Sequence, residues 1–243
     1  PRAVGTGRLS VLADSKGKTR LKDLRQSGST KLVFPHSHSQ DIEVILVNTA
    51  GGITGGDQFD LDISLETGAQ LTLTTQAAER AYRAQPGEIG RLTSRVTVQT
   101  GAALKWLPQE LILFVEPVVF GRTAMGETLR HVMFRDRISI IRAQAPLYLD
   151  GMQLSGDATA HLAQPAIANG AAAMASVVMV NAEAANHLKA VRALLPKTAG
   201  ASLLAEDMLV IRLLAADSFE LRRSLIPVLE LLSHNALPKS WRL

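Results

Sequence analysis

The chain has 243 residues, is 47% hydrophobic and carries a net charge of +4, so it can bury a large core as one big or two small domains. Its basic residues are scattered and not gathered into the Lys/Arg runs that mark nucleic-acid binding, and no apolar run approaches the length of a membrane span. The absence of cysteine removes disulfides, thiolate metal sites and cysteine nucleophiles together, and suits a cytoplasmic protein.

The first informative stretch is "NTAGGITGGD", Asn48 to Asp57, directly after the apolar run Ile42 to Val47. Four glycines and an aspartate raise the question of a phosphate cradle. Both nucleotide fingerprints place a helix behind the loop. Here Phe59, Leu61, Ile63 and Leu65 alternate with Asp60, Asp62, Ser64 and Glu66, which predicts a strand. The loop therefore reads as a hairpin or sheet corner, with a ligand loop as the alternative.

The segment from Asp57 then repeats. "DQFDLDISLETGAQLTLTTQ" and "GRLTSRVTVQTGAALKWLPQ" align at an offset of 33, pairing Thr67 with Thr100, Gly68 with Gly101, Ala69 with Ala102, Leu71 with Leu104 and Gln76 with Gln109. The apolar positions Phe59, Ile63, Leu65 and Leu73 fall on Leu92, Val96, Val98 and Trp106. Each unit is a strand, a Thr-Gly-Ala turn and a strand. Stacked units of this kind build a layered or helically wound β-fold.

Beyond Ala124, "TLRHVMFRDRISIIRAQAPLYLDGMQL" predicts a strand pair turned around Arg135 to Arg137. Helical signals begin only past Ser155. "NAEAANHLKAVRALLP" offers an Asn181 cap, Leu188, Val191 and Leu195 at helical spacing, and a terminating Pro196. Met208 to Leu214 reads as a buried strand. "DSFELRRSLIPVLELL" opens with Asp217 and Glu220 placed as a capping box, and Pro227 predicts a kink or restart. The expected fold is mainly β, built from strand–turn–strand repeats, with a few helices in the C-terminal third. Residues 1–155 form the repeat body, and residues 156–243 form an α+β part packed on it as one continuous domain.

Chemistry is sparse. The histidines His36, His38, His131, His161, His187 and His234 are dispersed, and none has the spacing of a helical zinc site. His36 and His38 read as a solvated loop. No Gly-x-Ser-x-Gly elbow is present. Asp57, Glu79, Glu110 and Glu127 each stand beside a strand end or a glycine loop. Glu79 shares its segment with Gln76, Arg80, Tyr82 and Arg83. That polar cluster is either a salt-bridged turn or a contact site, and Arg122 is a ready ion-pair partner for Glu127.

Taken in order, "NTAGGITGGD", "TTQAAERAYR", "WLPQELILF", "FGRTAMGE" and "LPKSWRL" resemble the urease accessory protein D family, also called UreH. The match runs from "LKDLRQSG" to Trp241. The resemblance implies a non-enzymatic β-rich protein of the cytoplasm that binds accessory proteins F and G and the urease apoprotein. It also implies help in delivering nickel, which is thought to move through an internal passage. Carried onto this chain, the passage residues are Asp57, Glu79, Glu110 and Glu127, with transient Ni²⁺ and no tightly bound cofactor. Scattered oxygen ligands suit such a path because they bind and release, where several histidines or cysteines would trap the ion.

The family has a longer segment between "WLPQELILF" and "EPVVFGR", so a missing stretch is expected near residues 112–117. Two other classes remain open at this stage. A β-solenoid enzyme acting on polysaccharide needs paired carboxylates in an open groove lined with aromatics, and two Trp and two Tyr supply few of those. A nucleotide-binding enzyme needs the glycine loop's N–H groups free.

Overall fold

A computed structural model describes residues 2–36, 40–85, 87–113 and 132–241. It is mainly β, and its contacts divide it into two units. Among the described residues, the first unit holds 2–113 and 238–241, and the second holds 132–237.

The first unit contains β1 (Val4–Ala13), β2 (Thr19–Gly28), β3 (Thr30–Val33), β4 (Ile42–Asn48), β5 (Gln58–Leu65), β6 (Gln70–Thr75), β7 (Glu79–Ala81), β8 (Arg91–Val98), β9 (Ala103–Leu107) and β10 (Leu111–Leu113). Two four-stranded open sheets run in the orders β2-β1-β5-β8 and β3-β4-β6-β9. The repeat is visible directly in their registers. β5 and β8 pair in parallel with Gln58 opposite Arg91 and Leu65 opposite Val98, while β6 and β9 pair in parallel with Gln70 opposite Ala103. Every one of these pairs has the sequence offset of 33, so the repeat is the pitch of a coil.

Gly68 and Gly101 turn equivalent corners, with φ of 75° and 69°. The corners stack through Gly68 N–H donating to the Thr100 carbonyl at 3.3 Å and Ala103 N–H to that of Ala69 at 2.9 Å. Inward positions close the core: Leu9, Val11, Leu61, Ile63 and Leu65 from one sheet meet Leu32, Val44, Leu71 and Leu73 from the other. Strand alternation at β5 thus buries Phe59, Leu61, Ile63 and Leu65 and turns Asp60 and Asp62 outward.

Each coil also has a third face that the two-strand unit did not anticipate. β7 pairs in parallel with β10, and Ile53 bridges to Ala81 in the same sense. The antiparallel strands β2 and β3 stand at the opposite edges of the two large sheets from β8 and β9. Residues 238–241 return to this unit as a strap ending in the 3₁₀ turn Lys239–Trp241. Trp241 is 4% exposed and donates its indole N–H to the Leu107 carbonyl at 2.8 Å. Gln109 donates to the Ser240 carbonyl at 3.1 Å, and Thr74 shares a hydroxyl contact with Ser240 at 3.2 Å.

The second unit holds the hairpin β11 (Val132–Arg142) and β12 (Ala145–Gly156), the helices α1 (Ala158–Leu162), α2 (Ala184–Leu194) and α3 (Ser218–Ser233), and the strands β13 (Ala173–Val180), β14 (Ala199–Ala205) and β15 (Met208–Ala215). The last three form an antiparallel sheet with β15, the predicted buried strand, in the middle. Three expectations need correction here. The hairpin turns at Ala143 and Gln144, with φ of 49° and 64°, and Arg135 to Arg137 lies within β11. Asn181 does not cap α2: its side chain accepts Glu183 N–H at 2.8 Å in a turn ahead of the helix, and Glu183 takes the cap position. Helix α3 does not restart at Pro227, because Leu225, Val228 and Leu229 are buried on either side and hold the continuation. Asp217 caps it as expected, accepting Glu220 N–H at 2.8 Å.

Two ion pairs join the hairpin to the sheet in this unit: Arg142 to Asp207 at 2.6 Å, and Arg212 to Asp150, where the Tyr148 hydroxyl also donates at 3.0 Å. Burial pushes the Asp150 carboxyl up, but hydrogen bonds from Arg212, Tyr148 and the Gly151 N–H outweigh it and hold the group below its ordinary value. A depressed folded-state pKa contributes stability above the unfolded value and loses it as pH falls through the folded value. Asp150→Asn should therefore be less stable than wild type at neutral pH and should lose less on acidification from about pH 5 to pH 3. Thermal melts across that range check it, and parallel losses in the two proteins would show that this contact does not contribute to the acid limb.

Candidate functional site

The glycine loop between β4 and β5 contains no helix start, as the alternation predicted. Several of its N–H groups are committed within the protein. Ala50 N–H donates to the Asn48 side-chain oxygen at 2.9 Å, Gly51 N–H to the Asn48 carbonyl at 3.4 Å, and Ile53 N–H to the Arg80 carbonyl at 2.7 Å. The anion that this loop receives is Asp57. That side chain is 4% exposed, and its two oxygens accept Ala3 N–H and Thr54 N–H, each at 2.8 Å. The loop is a sheet corner locked by its own carboxylate.

Glu79 holds the loop from the other side. The Asn48 side-chain amide donates to both Glu79 carboxylate oxygens at 3.2 Å and to the Gly52 carbonyl at 2.9 Å. Glu79 stands at the start of β7, and its N–H donates to the Glu110 carbonyl at 2.8 Å, just ahead of β10. Consecutive coils therefore bring the backbones of Glu79 and Glu110, both half-buried, together at one corner of the third face, with Leu111 the register partner of Glu79. Asp57 and Glu79 both anchor the loop, while Glu127 and Arg122 lie outside the described residues.

The polar cluster is exposed. Gln76, Arg80, Tyr82 and Arg83 all lie on the surface of the β7 segment. Its backbone meets the glycine loop: Tyr82 N–H donates to the Ile53 carbonyl at 2.8 Å and the Thr54 hydroxyl to the Arg83 carbonyl at 3.0 Å. Among the described residues, no group of three or more His, Asp or Glu side chains is arranged to hold a metal ion. His36 is exposed outside any strand, and His38 lies outside the described residues.

A profile described as "UreD urease accessory protein" matches residues 4–116 and 113–242. The urease accessory protein UreD of Roseobacter denitrificans is 48% identical over 264 aligned positions, covering 100% of this chain and 96% of that protein. Those of Ruegeria pomeroyi and Brucella suis are 48% and 40% identical, covering 91% and 99% of this chain and 94% of each relative. The chain belongs to the UreD family of urease accessory proteins. Its role is in urease maturation.

The UreD match divides at residues 113–116, within the stretch where a missing segment was expected, and the alignment with the Roseobacter UreD spans 264 positions against 243 residues here. The peptide link expected to be interrupted falls mostly outside the described residues. One pair of residues escaped the sequence reading altogether. The histidines, dispersed along the UreD chain, are not all dispersed in space: the rings of His187 and His234 have centroids 6.1 Å apart. No spacing rule links positions on two different helical segments, so only the packing of α2 against α3 reveals them. No helix among the described residues is long and apolar enough to cross a membrane.

Proposed function

We propose that this chain is a non-catalytic scaffold of urease maturation in the cytoplasm. It docks accessory protein F, indirectly the GTPase accessory protein G, and the urease apoprotein, and it assists the passage of Ni²⁺ to the urease site. The observation that supports the nickel part is that Glu79 and Glu110 come from neighbouring coils joined by a backbone hydrogen bond between them, with Asn48 orienting the first carboxylate. Half-buried carboxylates on neighbouring coils offer oxygen ligands that bind and release, which suits an ion that must exchange and not be stored. Asp57, with both oxygens taken by backbone N–H groups, contributes by fixing the loop. Glu127 belongs to the same proposed path, and the exposed cluster Gln76, Arg80, Tyr82 and Arg83, with Arg122, belongs to partner docking.

The strand that follows the loop and the Asp57 carboxylate seated on the Thr54 N–H speak against a nucleotide site there. The test is Glu79→Gln and Glu110→Gln, co-expressed with the urease and accessory proteins at limiting nickel. Urease nickel content and activity should fall severalfold in each while the complex with F and G is recovered intact. Glu127→Ala should behave alike. Normal activation in all three variants defeats the nickel path, and loss of the complex would assign these side chains to docking or stability instead.

A further inference from the structure

We propose that His187 and His234 form a two-histidine site for a divalent first-row transition-metal ion, bridging α2 to the end of α3. Their rings are tilted at 59° with centroids 6.1 Å apart. An ion about 2.1 Å from one nitrogen of each ring places the ring centres roughly 4.5–6.5 Å apart, according to the angle at the metal. The observed 6.1 Å lies at the wide end of that range, so a small rotation of the exposed His234 ring brings the pair to the narrower angles of a tetrahedral or octahedral ion.

The backbone presents the second ligand in an unusual way. His234 is the C-cap of α3 with φ 54° and ψ 46°, and Asn235 follows with φ 60°. Left-handed residues other than glycine are uncommon, though His and Asn are among those that accept it. His234 also lines a shallow groove with Leu194, Pro227, Glu230, Leu231 and Asn235. His234 is exposed and His187 half-buried, so an ion between them would keep contact with water.

Imidazole suits Ni²⁺, Zn²⁺ and Cu²⁺ and disfavours Mg²⁺ and Ca²⁺. With no third His, Asp or Glu gathered at the site among the described residues, the ion is held by two protein ligands and exchanges readily. The site lies in the second unit and does not depend on the carboxylate path. It stands on metal binding by the chain alone, so its failure and the failure of the nickel path are read separately.

The untagged full chain is titrated with Ni²⁺ by calorimetry, alongside His187→Gln and His234→Asn. Asparagine is chosen because it tolerates the left-handed position. Each substitution should weaken the strongest Ni²⁺ site at least tenfold, and Ni²⁺ should raise the melting temperature of wild type but not of either variant. Metal-free melts show whether the variants remain folded. If they do not, the wild type decides by itself: substoichiometric Ni²⁺ should broaden two of the six histidine ring signals first, with those two assigned to His187 and His234. Unchanged binding in folded variants, absence of Ni²⁺ binding by wild type, or first broadening at other histidines overturns the proposal.

Discussion

Gly52→Ala should destabilise the first unit by on the order of 3 kcal/mol. Gly52 has φ of 154°, a conformation nearly confined to glycine, and an added Cβ would lie 2.4 Å from the Tyr82 ring and 2.7 Å from the Arg80 carbonyl. Tyr82 is 44% exposed, so its ring has room to move aside. The carbonyl does not, because it accepts Ile53 N–H at 2.7 Å and so holds the loop to β7. Relief must come from that contact. Gly51→Ala is the control: its φ is 80°, but nothing lies within 4 Å of the new atom, and a left-handed alanine costs about 1–2 kcal/mol. Denaturant unfolding should rank Gly52→Ala clearly below Gly51→Ala. Equal midpoints would show that the close approach to Arg80 is easily relieved. Because Asn48 grips both the Gly52 carbonyl and Glu79, the same substitution should also impair urease activation.

Trp241→Ala should cost about 3–5 kcal/mol, the usual range for deleting a buried large aromatic. The indole is 4% exposed and its N–H is bonded to the Leu107 carbonyl, so the change opens a cavity and leaves that carbonyl with one donor, the Thr74 hydroxyl at 2.7 Å, in place of two. Trp241→Phe separates the two effects. It keeps most of the packing and loses the hydrogen bond, at about 1 kcal/mol. Denaturant midpoints for the three proteins check this, and a Trp241→Ala loss no larger than that of Trp241→Phe would mean that packing of the strap contributes little.

The coil pitch was legible because parallel in-register stacking converts a structural repeat into a fixed sequence offset. Thr67, Gly68 and Ala69 could be laid on Thr100, Gly101 and Ala102 without coordinates, and the stacked corners have that correspondence. The third face escaped because β7 and β10 are three residues each, too short for alternation to show, and their register of Glu79 against Leu111 departs from the pitch of the other two faces. The hairpin turn was misplaced because Ala143 and Gln144 adopt positive φ without the Gly, Asn or Asp that announces such a turn. At the site, their place beside the glycine loop and a strand end, with the family resemblance, pointed to Asp57 and Glu79. It could not say that one carboxylate is consumed by backbone N–H groups while the other is held by the Asn48 amide, since those partners come from separate strands and loops. The His187–His234 contact is tertiary in the same sense.

The strap gives the chain an order of assembly. Leu107 and Gln109 emerge from the ribosome early, yet Ser240 and Trp241, which satisfy them, are translated only after the whole second unit. At ordinary elongation rates that interval is on the order of ten seconds. During it the nascent coils have every strand they need but not the residues that fasten them. Final closure of the first unit is therefore a late event in biosynthesis, and any truncation that removes Trp241 would release a protein whose first-made half had never been completed.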